Sequence, residues 1–371
     1  MRRSKGFILA EILTVMLLQA GFILVLCGTF YLLVSFGSGT QQILTARERG
    51  QRVISYVDSR IKNAGLGMWR LTSSKQYRDV FDLFINEAGY KPLKIKGTEQ
   101  LRLPVAITYQ YKDVLTDSDL KVASPDETYE NSDKHTIQYG NILTLLYAQR
   151  DLDRNFMIVN KSVIETETDP YKPKYELISP DEYKDDGSQF SKEDKVNKRK
   201  QEINSYAVMV GAGEPLFIEN VPTKTNKKIE LKFLDTITPT SANPIIISGD
   251  ELLYLKCERL FAGKLDDEDT EKNFRFQKLT TNKYDYADWS ERRPHERNIL
   301  EIYMELDTET NILTLWVLAS GGKDGRIHER PPYSRWPEKA RWNNNEYKYH
   351  VIYISKASWK LNNIPNGFVW N

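Results

Sequence analysis

The pattern of apolar and polar positions changes character along the chain. From Phe7 to Phe36 the sequence reads FILAEILTVMLLQAGFILVLCGTFYLLVSF, apolar except for Glu11, Thr14, Gln19, Thr29 and Ser35. About 20 such residues span a bilayer as a helix, so this run is long enough with several to spare. It exceeds the ~7–15-residue apolar region of a secretory signal, and no A-x-A-like cleavage site ends it. Further on, Ile43, Ala46, Gly50, Val53, Val57, Ile61 and Ala64 recur at steps of three and four, the stripe of an amphipathic helix. Arg47, Glu48, Arg49, Gln51, Arg52, Asp58, Arg60 and Lys62 fill its polar face. Gly65, followed by Gly67, reads as a glycine C-cap. Read as one element, the helix from Phe7 to Ala64 is about 85 Å long at about 1.5 Å per residue. Gly28 and Gly37-Ser38-Gly39 are its weak points, where it can bend or locally unwind.

Beyond Trp69 the period drops from 3.6 to 2. Alternation or β-rich composition predicts strands at 105–111, 136–148 (with Gly140 as a bulge or bend), 206–210, 216–221, 245–248 and 349–354. Residues 301–306 and 312–318, joined by 307–311, read as a hairpin. Together they predict an antiparallel sheet with one face on the helix. Residues 169–204 are charge-dense and poor in large aliphatics, and predict an exposed, partly mobile insertion with a short polar helix. The fold class is therefore α+β: a long transmembrane and amphipathic helix packed on a β-rich head.

Composition narrows the function. The 371 residues carry 52 Lys+Arg against 51 Asp+Glu, a formal net charge of +1, which argues against a dedicated polyanion binder. Cys27 and Cys257 are the only cysteines, so neither a disulfide framework nor a cysteine-rich zinc site is available. His135, His295, His328 and His350 are scattered without ligand spacing, and neither H-E-x-x-H nor G-x-S-x-G occurs. Gly211 to Pro215 and Gly321 to Gly325 read as turn and loop, not phosphate cradles. Enzymatic activity and a cofactor are not expected. Asp151, Asp153 and Asn155 open like a calcium loop, but Phe156 and Ser162 replace the Gly and the acidic twelfth residue, so a solvated turn is the preferred reading. Asp266 to Asp269 is read the same way. Arg326, Arg330, Arg335, Trp336, Arg341, Trp342, Lys348 and Tyr349 mix cations with rings as a single-strand DNA groove does. Interleaved Glu329, Glu338 and Glu346 favour packing or a subunit interface over DNA.

One residue stands out in the apolar run. A carboxylate in a membrane helix costs a few kcal/mol on insertion scales and normally faces a partner. Glu11 lies five residues into a run preceded by Arg2, Arg3, Lys5 and Gly6. Lys5-Gly6-Phe7-Ile8-Leu9-Ala10-Glu11 resembles the type IV prepilin signature: a basic leader ending in Gly, then Phe, then Glu at the fifth position. The stretch Ala46 to Trp69, with Arg60-Ile61-Lys62-Asn63-Ala64-Gly65, resembles the PilW-type minor pilins in particular. The two together cover about the first seventy residues.

The resemblance implies cleavage between Gly6 and Phe7 by a prepilin peptidase and N-methylation of Phe7. It implies Glu11 pairing with a neighbouring subunit's N-terminal amine during assembly. It divides the chain into a leader (1–6), a membrane or filament-core helix (7–36), an amphipathic helix (37–66) and a head (67–371). The implied partners are major and minor pilins, the peptidase, an inner-membrane assembly platform and the lipid bilayer. The implied location is the inner membrane, head outside the cytoplasm, and then a filament at the cell surface. The alternatives are a pseudopilin of a type II secretion or DNA-uptake system, which shares this N-terminus, and a single-pass anchored adhesin or enzyme, which stays uncut. Charge settles orientation only partly, because Arg47, Arg49 and Arg52 follow the span as Arg2, Arg3 and Lys5 precede it.

Overall fold

The computed structural model describes residues 5–77, 103–109, 121–122, 137–149, 158–161, 174–178, 206–209, 213, 215–220, 228–233, 252–264, 271–281, 287–289, 293–324 and 326–370. The amphipathic and apolar patterns merge into one helix, α1 (Lys5–Ile61), about 85 Å long. It runs unbroken through the weak points at Gly28 and Gly37–Gly39, with no local unwinding. Each Gly costs about 1 kcal/mol relative to Ala, too little to break a helix flanked by strong helix formers. Thr29 and Thr40 return their hydroxyls to the carbonyls of Val25 and Phe36 at 2.6 and 3.0 Å, so they present no unmet donor. Gly65 and Gly67, both at φ +74°, terminate the element in the left-handed region. The Asn363 amide donates to the carbonyls of Lys62 (2.7 Å) and Ala64 (3.3 Å), a cap supplied from the far end of the chain.

The strands are β1 (Val105–Tyr109), β2 (Lys121–Val122), β3 (Ile137–Gly140), β4 (Ile142–Gln149), β5 (Ile158–Lys161), β6 (Lys174–Ile178), β7 (Tyr206–Met209), β8 (Pro215–Asn220), β9 (Lys228–Phe233), β10 (Leu252–Gly263), β11 (Asn273–Thr281), β12 (Ala287–Trp289), β13 (Arg293–Arg297), β14 (Ile299–Asp307), β15 (Ile312–Lys323) and β16 (His350–Lys360), with the one-turn helix α2 (Asn344–Tyr347) before the last. Among the described residues they form two sheets, antiparallel at every pairing. One has four strands in the order β16-β15-β14-β3. The other has twelve, along the path β2-β1-β4-β10-β7-β8-β9-β6-β5, with β11 beside β10 and with β12 and β13 beside β11. The residues expected to form one strand at 136–148 are therefore two, in different sheets. Gly140 is the crossing point, where a Cβ would collide with the Thr108 carbonyl. The insertion at 169–204 contains strand β6, so it is not without sheet structure; the rest of it, the strand expected at 245–248 and both candidate cation loops (Asp151, Asp153, Asn155 and Asp266 to Asp269) lie outside the described residues.

The C-terminal half of α1 lies on the four-stranded sheet. Ala46, Val53, Val57 and Ile61 of the expected stripe are buried in one core with Leu313, Leu315, Val317 and Ala319 of β15, and Ala64, just past the helix, is buried beside Tyr147 of β4. Ile43 is the exception, 47% exposed. The approach is close because glycines line the contact: a Cβ on Gly50 would meet the Ser355 side chain, and one on Gly321 would meet the Gln42 backbone. Gly321 and Gly322 are thus strand residues of β15 beside a bulge, not the loop that their glycine content suggested. The sheet's opposite face is not solvated either. Tyr303, Trp316 and Leu318 pack under Trp336, Ala340 and Tyr347, so the chain between β15 and β16 folds back over the sheet.

Candidate functional site

The largest departure from an ordinary soluble surface is the first half of α1. Phe22, Leu24, Phe30, Tyr31, Leu33 and Phe36 are 66–77% exposed, and every residue from Glu11 to Val34 lies in open contact with the surroundings. The helix meets the head at Gln42, so an arm of about 55 Å projects beyond it. An unburied apolar surface of this size marks a membrane or a protein interface. By length and composition this helix can cross a membrane, which makes anchoring at the N-terminus possible. Gly6 and Phe7 belong to the first turns of α1, and Glu11 follows on the exposed arm without an ion-pair partner among the described residues.

At the head, the polar face of α1 turns inward more than its pattern suggests. Glu258, on β10, is fully buried and accepts from three donors: Arg60 Nε at 2.7 Å, the Tyr56 hydroxyl at 3.0 Å and the Tyr147 hydroxyl at 3.4 Å. The Arg60 guanidinium also lies 3.4 Å from the Tyr56 ring centroid, a cation–π contact. Burial and the Glu258 charge push the Tyr56 and Tyr147 hydroxyls well above the ordinary tyrosine range, so both remain donors. Burial is the largest single effect on Arg60 and opposes its charge, but Glu258, Tyr56 and Tyr147 together outweigh it and the guanidinium is held more firmly protonated. The His295 ring sits 3.9 Å from that of Tyr56; burial, and then Arg60, lower its pKa.

Further contacts extend this clamp along the helix. Arg49 donates to the Ser320 carbonyl at 2.5 Å and approaches Glu296 at 3.9 Å, and Arg52 pairs with Glu296 at 3.4 Å. Asp58 accepts from the Trp359 indole at 2.9 Å and pairs with Lys62 at 2.6 Å. Sequence periodicity assigns Arg49, Asp58 and Arg60 to a solvated face; it carries no signal for their partners, which lie more than 200 positions away for Glu296 and Trp359 and nearly so for Glu258.

Other candidate residues are used structurally. Ser320 and His350 meet at 2.7 Å, both buried, and the Ser320 hydroxyl also accepts the Gly322 amide at 3.0 Å, stapling the β15 bulge. His328 bonds Asp324 at 3.0 Å. Among the described residues no group of three His, Cys, Asp or Glu side chains is placed to hold a metal. Of the C-terminal aromatic residues, Trp336 is fully buried and Trp342 packs edge-on against Tyr347, leaving Tyr333 and Tyr349 exposed. The described site is thus an exposed apolar arm joined rigidly to a head by a buried ionic clamp. Compared with protein-family models, with curated proteins and with solved structures, the chain matches none.

Proposed function

We propose that this chain is a prepilin-like subunit, similar to the PilW-type minor pilins, that acts in assembling or initiating a type IV pilus or a related filament. One observation carries the reading: a single unbroken helix is bare and apolar over its first two thirds, where it bears Glu11, and clamped into a β-rich head over its last third. Such an arm suits lateral packing with equivalent helices, first in the bilayer and then in a filament core. Once Gly6–Phe7 is cut, the new Phe7 amine is a cation and Glu11 its matching anion on a neighbouring subunit. Pairing offsets the cost of each buried charge and sets axial register. Arg2, Arg3 and Lys5 before the span are nearly matched by Arg47, Arg49 and Arg52 after it, so the N-in topology with the head outside the cytoplasm rests on the prepilin resemblance more than on charge.

The test is intact-mass and N-terminal peptide analysis of the protein from its native membrane. The expected mature chain begins at N-methylated Phe7, and Gly6→Leu leaves it uncut. A chain that still begins at Met1 with the peptidase present overturns the reading. So does a deletion strain with filaments normal in number and length.

A further inference from the structure

The apolar arm leaves the head beside one end of the strands of the four-stranded sheet. Helix and β15 run side by side, with Gly50 opposite Ala319 and Gln42 against Gly321, so the end of β15 at Lys323 is the arm-proximal end. β16 starts there as well, His350 pairing with Lys323. Backbone bonds extend the pairing past the strand ends, from the Asp324 amide to the Tyr349 carbonyl (3.2 Å) and from the His328 amide to the Lys348 carbonyl (2.6 Å). This tip carries Lys323, Arg326, Ile327, Lys348 and Tyr349. Ile327 is 72% exposed, next to exposed Arg326, and Tyr349 is also exposed, with the Lys348 ammonium 5.0 Å from its ring centroid.

We infer that this tip is a membrane-contact site, seating its cations among lipid phosphates and Ile327 and Tyr349 at the headgroup boundary. The inference rests on the reading of α1 as a membrane helix. Distance is the first argument. From Phe36, the last residue of the apolar run, to Gln42 is about 9 Å along the helix. A headgroup layer is roughly 5–8 Å thick on each side of the hydrocarbon. The arm also overfills the bilayer: Phe7 to Phe36 is about 45 Å against a core of about 30 Å, a mismatch that tilting relieves. Tilt lowers one side of the head, and contacts from Arg49 to Arg60 hold the head in place on the helix. Chemistry is the second argument. Long cations beside an exposed aliphatic and a tyrosine are the residue types that settle at an interface, apolar bodies inward and charges at the phosphates. Among the described residues the tip's own carboxylate, Asp324, is engaged by His328 and the Arg326 amide at 3.0 Å each; Glu346, which with Glu271 acts on His350 from behind the tip, is paired with Lys272 at 3.6 Å, and exposed Glu329 follows His328.

Site-directed spin labelling of the full chain tests this. Cys27→Ala removes the exposed thiol, buried Cys257 stays unlabelled, and single labels are placed at Ile327→Cys and, as reference, Val25→Cys. The protein is reconstituted at low density into vesicles of phosphatidylcholine with 30% phosphatidylglycerol, and collision with a water-soluble nickel relaxer is compared with that of oxygen. The expected result is a Val25 label deep in hydrocarbon and an Ile327 label shielded several-fold from nickel relative to the same protein with Arg326→Ser and Lys348→Ser. A deep Val25 label with a freely accessible Ile327 label overturns the inference and leaves the membrane reading standing. A water-accessible Val25 label overturns both. Shielding at Ile327 that grows with protein density at fixed lipid assigns the tip to a second copy of the chain and overturns lipid contact.

Discussion

Replacing Glu258 with Gln is the sharpest test of the clamp that joins the helix to the head. The carboxylate side chain is 1% exposed and serves Arg60, Tyr56 and Tyr147 at once. A Gln of the same shape offers one acceptor oxygen in place of two and turns an NH₂ group toward donors that need an acceptor. Hydrogen bonds to charged groups are worth about 1.5–3 kcal/mol, and breaking one side of a buried ion pair costs about 3–5 kcal/mol. The Arg60 side chain keeps 18% of its exposure, so water relieves part of its orphaned charge. The expected loss is about 2–4 kcal/mol, read from the urea midpoint of the full chain in detergent micelles by intrinsic fluorescence and near-ultraviolet dichroism. The double variant Glu258→Leu with Arg60→Met removes both charges, so that no buried charge is orphaned and only the Tyr56 and Tyr147 hydroxyls lose their acceptor. It is expected to cost less than the sum of the two single changes by about 1–3 kcal/mol. A loss below about 0.5 kcal/mol for Glu258→Gln, or strict additivity in the cycle, refutes the clamp as the joint between arm and head.

Two further outcomes follow from the geometry. Burial, with Arg60 and Lys323 respectively next in size, lowers the pKa of His295 and His350 below 6.5, so the unfolded chain binds protons that the folded chain refuses. Stability contributed by these rings is complete above about pH 6.5 and declines as pH falls below it; a His295→Asn, His350→Asn chain is expected to show a flatter urea midpoint between pH 7 and 5. Gly321→Val drives a side chain into the Gln42 backbone and is expected to cost about 1–3 kcal/mol by the same assay, whereas Gly28→Ala meets open space and leaves head unfolding unchanged.

Much of the molecule was legible along the chain because its strongest signals are local and periodic. The apolar run and the three-and-four stripe determine α1 and its terminating Gly65, and they do so because a helix repeats every 3.6 residues regardless of what surrounds it. The hairpin of β14 and β15 follows likewise from alternation and the turn at 307–311. Tertiary structure decided what periodicity cannot encode. Whether Gly140 bends one strand or passes the chain between two sheets depends on Thr108, which no local pattern connects to it. Gly321 resembles loop glycine until the helix backbone lies against it. Arg49, Asp58 and Arg60 read as solvated charges until Glu296, Trp359 and Glu258 arrive from remote strands, because an ion pair leaves no periodic mark in either segment. The same holds for Ile327: only the placement of the β15 end beside Gln42 sets it near the arm, where an exposed aliphatic residue gains a meaning.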